Sequence, residues 1–402
     1  MNKRRALFQP LFWSMMGSFL LCFPAGLHAA EWSGRVGVEG RLFLNDPIHP
    51  GQREQQASII AQPEYYQSWE ESSFTAVPFF RLDSADSERT HFDVREFFFL
   101  WYPGSFDLGV GVRKIFWGVT ESQHLVDIVN QTDLVELTDG EEKLGQPMLH
   151  LSVLQDWGTF DFFVLPYFRE RTFPGRKGRL RTALVVDTDQ ARFESGAKKH
   201  HVDIALRYAH TLGDWDIALS HFEGTGREPT FLIGSDVAGN PVLIPFYEQI
   251  GQTGLELQHV AEAWLWKLEV IHRNGQGEAF EAATFGFEYT FTGLFETRMD
   301  LGAIGEWLYD TRGTRATTPF ENDLMFGLRL AVNDMASTEL LIGVIQDLNH
   351  AEKLLSIEGA RRITDHWKME VEGNLFMQQN RNALFYDLRE DDFLQFSLSY
   401  YF

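Results

Sequence analysis

Cysteine is almost absent from this sequence, since Cys22 is the single one among 402 residues. It lies in a segment with a basic start at residues 2–5, an apolar stretch at 7–23 and small residues up to Ala30. This arrangement is typical of a secretory signal peptide, so we expect residues 1–30 to be removed. Residues 31–402 then contain no disulfide, no cysteine-ligated metal and no thiol nucleophile.

Basic charge and long apolar runs are also scarce. Of the 35 basic residues, the signal peptide holds Lys3, Arg4 and Arg5, which leaves 32 against 57 acidic ones and a net charge of −25. A chain this acidic is not expected to bind nucleic acid through its phosphates. After the signal peptide the sequence has no run of eighteen apolar residues, which excludes a helical membrane protein.

The sequence is rich in strict alternation of apolar and polar residues. In the last run, Leu394, Phe396, Leu398 and Tyr400 alternate with Gln395, Ser397, Ser399 and Tyr401. Such a period of two predicts strands with one apolar face, and a length of about ten residues suits a tilted crossing of a bilayer. Eighteen runs follow the pattern: 34–44, 58–69, 73–82, 91–102, 106–117, 147–156, 159–169, 199–210, 214–224, 250–260, 263–274, 279–292, 296–310, 322–332, 337–348, 353–363, 366–378 and 392–402.

The connections between these runs alternate between tight and long. Tight turns such as 103–105, 157–158 and 364–365 are interleaved with long segments such as 118–146 and 170–198. Short turns at one end and long loops at the other are typical of outer-membrane barrels. Aromatic residues recur beside the tight turns, which predicts an aromatic girdle at that end.

The final run, which ends on Phe402, resembles the closing strand of Gram-negative outer-membrane β-barrels. The resemblance implies an all-β fold, a single transmembrane antiparallel β-barrel of about 18 strands spanning residues 31–402, located in the cell outer membrane. It also implies recognition of Phe402 by the barrel-assembly machinery. The run at 58–69 is the weakest because Pro63 cannot donate to a strand ladder, and without it the expected number falls to 16.

If the apolar faces contact lipid, the alternate faces line the interior. The charged residues on those faces have both signs and are too numerous for a dry interior, which predicts a water-filled lumen. The candidate pore-lining residues are Arg35, Arg41, Asp93, Arg95, Arg113, Arg207, Lys267, Glu288, Arg298, Arg329, Arg362 and Glu370. The same parity places Glu39, Glu269, Arg273, Glu306, Glu358, Lys368 and Glu372 among the lumen residues.

The segment 118–146 combines seven acidic residues with one base, Lys143, and several apolar residues. Such a loop either caps the barrel or folds inward and narrows the pore. The candidate constriction residues are Glu121, Asp127, Asp133 and Glu136. The phrases FWGVTES and VDIVNQTD resemble segments of porin-like outer-membrane families, including alginate-export-like ones, which implies only the general role of such a loop.

The segment 170–198 is basic, with FPGRKGRLR at 173–181. It either binds lipopolysaccharide phosphates, attracts an anionic solute or is an ordinary solvated loop.

Two sets of residues resemble parts of the active sites of outer-membrane enzymes. His150 and Ser152 lie two apart on one strand, which resembles outer-membrane phospholipase A, but Val153-Leu154 replaces that family's Asn-Gly and parity turns the pair away from lipid. An omptin-like protease needs paired acid and histidine residues, for which His91 with Asp93 and His221 with Glu223 are the nearest. We therefore predict no catalytic residues, no metal site and no cofactor.

The sequence thus predicts an outer-membrane channel for passive diffusion of small polar or charged solutes, with mild cation preference from its acidity. The predicted partners are outer-membrane lipid, lipopolysaccharide, the assembly machinery and the solute. Three alternatives stay open: an exporter of an acidic polysaccharide, a lipase- or protease-type enzyme, and a closed structural or adhesive barrel.

Overall fold

The computed structural model describes residues 30–137, 139–381 and 384–402, so the predicted signal peptide lies almost entirely outside the described residues. In these ranges, eighteen strands form one antiparallel sheet. They are β1 (Glu31–Phe43), β2 (Gln55–Trp69), β3 (Ser72–Asp83), β4 (His91–Trp101), β5 (Asp107–Arg113), β6 (Gln146–Gln155), β7 (Gly158–Leu165), β9 (Asp203–Leu212), β10 (Trp215–Thr225), β13 (Gln249–Ala261), β14 (Trp264–Gly275), β15 (Gly277–Phe291), β16 (Asp300–Asp310), β17 (Asn322–Ala331), β18 (Glu339–Asp347), β19 (Lys353–Arg362), β20 (Trp367–Met377) and β21 (Phe393–Tyr401). Each strand pairs with the next along this series, and β1 pairs with β21, so the sheet closes into a barrel.

The remaining short elements lie in the loops. Strands β8 (Arg192–Phe193), β11 (Thr230–Ser235) and β12 (Pro241–Tyr247) form a separate small sheet. Single 3-10 turns occupy Thr188–Gln190, Lys198–His200, Leu294–Glu296, Gly313–Arg315 and Leu384–Leu388. No helix in the described ranges is long and apolar enough to cross a membrane.

The apolar faces of the barrel strands point outward, as the alternation predicts. On β21, Phe396 is 48% exposed, whereas Gln395 and Ser399 are buried on the inner side. On β1, Val38 is 54% exposed and Glu39 is buried. An outward apolar belt around a polar interior is the arrangement that a bilayer imposes on a closed barrel, because hydrocarbon cannot solvate charge or unpaired backbone groups. The predicted fold class is confirmed.

Loop lengths and aromatic positions distinguish the two ends of the barrel. The chain enters β1 and leaves β21 at the end that carries the short turns, and the long loops lie at the other end, which we call the outer mouth. Exposed tryptophans surround the short-turn end: Trp32, Trp101, Trp157, Trp215, Trp264 and Trp367. Indole rings prefer the boundary between hydrocarbon and headgroups, so this ring is where a membrane interface is expected.

The run at 58–69, the weakest of the predicted strands, is part of β2 despite Pro63. The proline is accommodated by a local break, because the register with β3 stops at Ala61 and resumes at Tyr65, with an irregularity on the opposite side at Val77 and Pro78. Pairing with β1 continues through Gly34, whose absent Cβ leaves room for the proline backbone. The alternative of 16 strands is therefore wrong.

A charge placed on the outward face should destabilise the barrel far more than the same charge on the inward face. We expect Phe396→Lys to lower the free energy of unfolding by about 2–4 kcal/mol, because the ammonium group then faces hydrocarbon. Ser397→Lys is the matched control, since Ser397 is adjacent but lies across from Glu370 on the lumen side. Urea unfolding in lipid vesicles, followed by tryptophan fluorescence, measures both, and equal losses would contradict the assignment of the faces.

Candidate pore and the inward-folded loop

The described residues of the segment between β5 and β6, 114–137 and 139–145, lie inside the barrel, and we call this segment the inner loop. Its side chains Trp117, Leu125, Val126, Ile128 and Val129 are buried. They pack on an apolar patch of the wall that includes Phe98, Met148, Phe163, Leu165, Phe222, Ile250, Ile271 and Phe280. The sequence left open whether this segment caps the barrel or folds inward. It folds inward because the wall offers an apolar surface that its own apolar residues can cover.

A buried glutamate of the opposite wall binds the start of the inner loop. Glu269 on β14 is fully buried. Its Oε1 accepts the backbone N–H groups of Val119 at 2.7 Å and Thr120 at 3.0 Å, and also the Thr120 hydroxyl at 2.7 Å. Its Oε2 accepts the N–H of Val126 at 3.2 Å. The carboxylate therefore satisfies backbone donors that the interior would otherwise leave unpaired.

A second wall glutamate repeats this arrangement two residues further along. Glu306 on β16 accepts the N–H groups of Glu121 at 2.7 Å and Ser122 at 2.8 Å, together with the Ser122 hydroxyl. The turn begins at Gly118, which has a φ of +137°. A Cβ at that position would lie 3.0 Å from Glu269 Oε1, so the close approach requires glycine. The sequence GVTES at 118–122 is thus a turn that binds two carboxylates.

His124 adds a positive charge to the contacts that hold the start of the inner loop against the wall. Its Nε2 lies 3.0 Å from Glu141 Oε1 and its Nδ1 lies 3.8 Å from Glu269 Oε1. Burial alone would lower the pKa of His124, but the two carboxylates raise it to about 10. The imidazole is therefore protonated at neutral pH and links the inner loop to β14.

The second half of the inner loop is attached to the wall near β1, β3 and β4. Arg95 binds Asp133 at 2.7 Å, and Arg81 binds both oxygens of Glu136. Glu39 accepts hydrogen bonds from Arg81 and from Arg89. All of these side chains are buried, and such pairs hold a segment in place because removal of one partner leaves an unpaired buried charge.

Two cavities lined by described residues of the lumen share a group of carboxylates. The outer cavity extends toward the loops at 312–320, and the inner cavity extends toward Arg35 and Lys368 at the short-turn end. The acidic residues that line both are Glu121, Asp139, Glu141, Glu358 and Glu372, and we call them the carboxylate ring.

Charge pairing divides the carboxylate ring into two groups. Glu121 lies 2.6 Å from Arg329, and Glu141 is paired with His124. Among the described residues, Asp139, Glu358 and Glu372 have no Lys, Arg or His nitrogen within 4.0 Å. Glu372 accepts a hydrogen bond from Gln395 instead. The ring therefore presents carboxyl groups without a cationic partner to the space between the cavities, and desolvation together with the neighbouring carboxylates raises the pKa of Asp139 to about 7.

Most of the predicted pore-lining residues lie on the lumen side. Arg35, Arg329 and Glu370 line the inner cavity directly. Others are paired within the wall or with the inner loop: Arg41 with Gln395, Asp93 with Arg95 and Arg169, Arg207 with Glu256, Lys267 with Glu121, and Glu288 with Arg329. Arg113 stacks over Phe98 in the interior.

Two predicted pore-lining residues lie at the short-turn end instead. Arg298 is exposed in the turn before β16, so its prediction is wrong. The predicted strand began at 296, but Gly293 and Phe295 adopt positive φ and the strand begins only at Asp300, so alternation does not apply there. Arg362 is the last residue of β19 and is exposed.

The four predicted constriction residues differ in what they do. Asp133 and Glu136 are buried in ion pairs with wall arginines and attach the inner loop, and Glu136 also lines the inner cavity. Asp127 is paired with Lys143 at 3.1 Å. Only Glu121 of the four lines both described cavities.

The sequence alone did not predict the role of several residues that attach the inner loop to the wall. Arg81 and Arg89 were not among the predicted pore-lining residues, although Arg81 lies on the same, inward face of its strand as Asp83. Glu269 and Glu306 were assigned to the lumen by parity, but their contacts with residues some 150 to 185 positions away carry no local signal.

Side chains considered for catalysis or metal binding are engaged in other contacts. His150 Nε2 lies 2.9 Å from Asp161 and its ring stacks on Phe163 inside the barrel. Two groups bring three possible metal ligands within 4.8 Å of one another: His91 with Asp133 and Glu136, and Glu321 with Asp347 and His350. In the first group both carboxylates already bind arginines, which disfavours a cation there.

The basic segment 170–198 is partly folded over the outer mouth. Arg179 is buried and binds Asp391 at 2.5 Å, and Arg181 is also buried. Arg176 and Lys177 are exposed. The basic surface available to a ligand is therefore smaller than the sequence FPGRKGRLR indicates.

Searches for known relatives found similarity in shape alone. No family model and no curated protein matches the chain. OmpT of Vibrio cholerae, an outer membrane protein solved in a trimer form, is 9% identical over 93% of this chain and 99% of its own, with a TM-score of 0.48. A mutant of the Rh. blastica porin is 11% identical over 93% of this chain and 100% of its own, with a TM-score of 0.44. By its own strand pairing, the chain folds as a closed antiparallel β-barrel of eighteen strands.

Neutralising Glu269 should release the start of the inner loop. We expect Glu269→Gln to weaken the attachment by about 2–3 kcal/mol, because charge-assisted hydrogen bonds to backbone N–H groups are lost. Single-channel conductance should then rise by roughly half and become noisier. Glu256→Gln is the matched control, since Glu256 is directly opposite Glu269 in the sheet but pairs with Arg207. An unchanged conductance for Glu269→Gln would contradict the anchor.

The charge on His124 predicts a pH dependence of the same attachment. Its pKa is raised from 6.5 to about 10 in the folded state, so its stabilising contribution is complete below about pH 6.5 and is lost as the pH rises through 10. Conductance should therefore increase between pH 7 and 10.5. His124→Gln should remove this rise, and a wild-type conductance that is flat across the range would argue against the ion pair.

Proposed function

We propose that this protein is a passive diffusion channel of the outer membrane for small polar or charged solutes, with a preference for cations. The observation that carries the proposal is the carboxylate ring, where Asp139, Glu358 and Glu372 face the lumen without a cation partner among the described residues. Confined negative potential concentrates cations and repels anions. The inner loop supports the proposal because it fills the part of the lumen next to the apolar patch of the wall and leaves open the space that this ring borders.

The location and partners form part of the same proposal. The outward apolar belt and the tryptophans at the short-turn end suit a bilayer, and residues 1–30 would direct export. Phe402 is 49% exposed, which leaves it accessible to the assembly machinery. The exposed Arg176 and Lys177 at the outer mouth suit lipopolysaccharide phosphates. We propose no catalytic step, cofactor or nucleic-acid partner.

Export of an acidic polysaccharide remains the second candidate, because arginines line the outer cavity. That function requires a basic path through the whole lumen, whereas the carboxylate ring interrupts it with unpaired acids. The ionic selectivity of the channel separates the two functions, since an exporter of polyanions should prefer anions. A closed barrel or an enzyme of lipase or protease type would conduct no ions.

Reversal potentials in a salt gradient test the proposal. In planar bilayers with a tenfold KCl gradient, we expect K⁺ to be favoured over Cl⁻ by about threefold to tenfold. Glu358→Gln combined with Glu372→Gln should bring the ratio toward one. The matched control is Glu296→Gln combined with Asp365→Asn, which removes the same charge from exposed turns outside the lumen. Anion preference in the wild type would overturn the proposal.

A further inference from the structure

The outer cavity contains a cationic corner opposite the carboxylate ring. Arg171, Arg273 and Arg312 surround Glu228 there. Arg273 lies 3.0 Å from Glu228 Oε2, and the Thr317 hydroxyl donates to the same oxygen at 3.0 Å. Burial would raise the pKa of Glu228, but the three arginines lower it to about 2.

Arg171 supplies unpaired positive charge in this corner. Its Nε donates to Gln131 at 3.3 Å. Among the described residues it has no carboxylate within 4.0 Å, whereas Arg312 is held on both oxygens of Asp310 and Arg227 is held by Asp203. With Glu228 and Asp310 counted against Arg171, Arg273 and Arg312, the corner keeps one positive charge in excess. The planar fork of a guanidinium suits a carboxylate.

The wall between the cationic corner and the carboxylate ring is apolar. Strands β17 and β18 contribute Met325, Leu341, Gly343 and Ile345 to the same cavity. Arg312 follows β16, and Glu358 lies on β19, three strands away. At about 4.8 Å per strand, Arg312 and Glu358 are on the order of 14 Å apart across the strands. Arg171 belongs to the Arg312 end of the cavity, because both arginines act on Glu228.

We propose that the outer cavity is a binding subsite for an elongated zwitterion of the size of a short peptide. Its carboxylate end binds Arg171, its ammonium end binds Glu358 and Glu372, and its backbone or aliphatic middle lies along β17 and β18. This inference rests on the proposed channel function and names the class of solute that the channel holds on its way through. A single amino acid is too short to reach both ends at once.

Three forms of one peptide test the subsite in the reconstituted full-length channel. Tetra-alanine carries both charges, its C-terminal amide lacks the carboxylate, and its N-acetyl form lacks the ammonium group. The measured quantity is the concentration at which each peptide halves the K⁺ current. A lumen that selects by net charge alone ranks the cationic amide first, the zwitterion second and the acetylated anion last. The subsite instead makes the zwitterion the strongest blocker, by about fivefold over either derivative.

Substitutions assign the two ends separately. Arg171→Gln should remove the advantage of tetra-alanine over its amide, so that the amide becomes at least as effective and the acetylated form stays the weakest. Glu358→Gln combined with Glu372→Gln should remove the difference between tetra-alanine and its acetylated form. Arg176→Gln is the matched control, since Arg176 is exposed on the same loop and pairs with Asp236 outside the cavity.

The possible outcomes separate the subsite from the channel. Absence of K⁺ current in the wild type overturns the proposed function itself. A normal K⁺ current overturns the subsite, but not the proposed channel function, if the blocking order follows net charge or if the three peptides block at the same concentration. Since the comparison of peptides is made on the wild type, it stands even if a variant fails to fold.

Discussion

The buried carboxylates of Glu269 and Glu306 hold the structure of the lumen together, because they bind the backbone N–H groups where the inner loop turns along the wall. A chain segment inside a barrel lacks the strand ladder that satisfies the wall, so its backbone donors need other acceptors. Two charged acceptors fix five residues, 118–122, in one place. The apolar packing of the loop and the positions of Glu121, Asp139 and Glu141 in the carboxylate ring follow from that attachment.

The strands of the barrel could be predicted from sequence because two solvents impose a period of two on every one of them. Each strand contacts hydrocarbon on one face and water or protein on the other, so the pattern is local and repeats around the wall. The prediction failed where that constraint ends. Arg298 belongs to a turn, in which positive φ at Gly293 and Phe295 replaces the pleat, and alternation carries no information there. Pro63 gave too strong an argument against the strand at 58–69, because the local break in pairing with β3 that accommodates it is not visible in one sequence.

The lumen was less predictable because pairing, rather than charge, decides what each residue does. Asp133, Glu136 and Glu121 look equivalent as acids of one loop, yet the first two are buried against Arg95 and Arg81, and the third bridges to Arg329 at the edge of open space. Those arginines come from distant strands, and their reach depends on the curvature of the closed wall. Parity could place a side chain inside the barrel, but it could not name the residue opposite.

The net charge of −25 is a poor guide to the ionic selectivity of the proposed channel, because most of the charges are paired or lie far from the lumen. Acids paired with a base attach the inner loop and contribute little field, and those on outer surfaces are screened by salt within about 8 Å. Among the described residues, the charges without an oppositely charged partner include Asp139, Glu358 and Glu372 in the carboxylate ring and the excess positive charge of the cationic corner. Solvent is excluded from much of the lumen by the packed loop, so these few groups act at shorter range and with less screening. In the proposed channel, a solute therefore meets two opposite charges in sequence, and we expect its own charge distribution to matter more than its total charge.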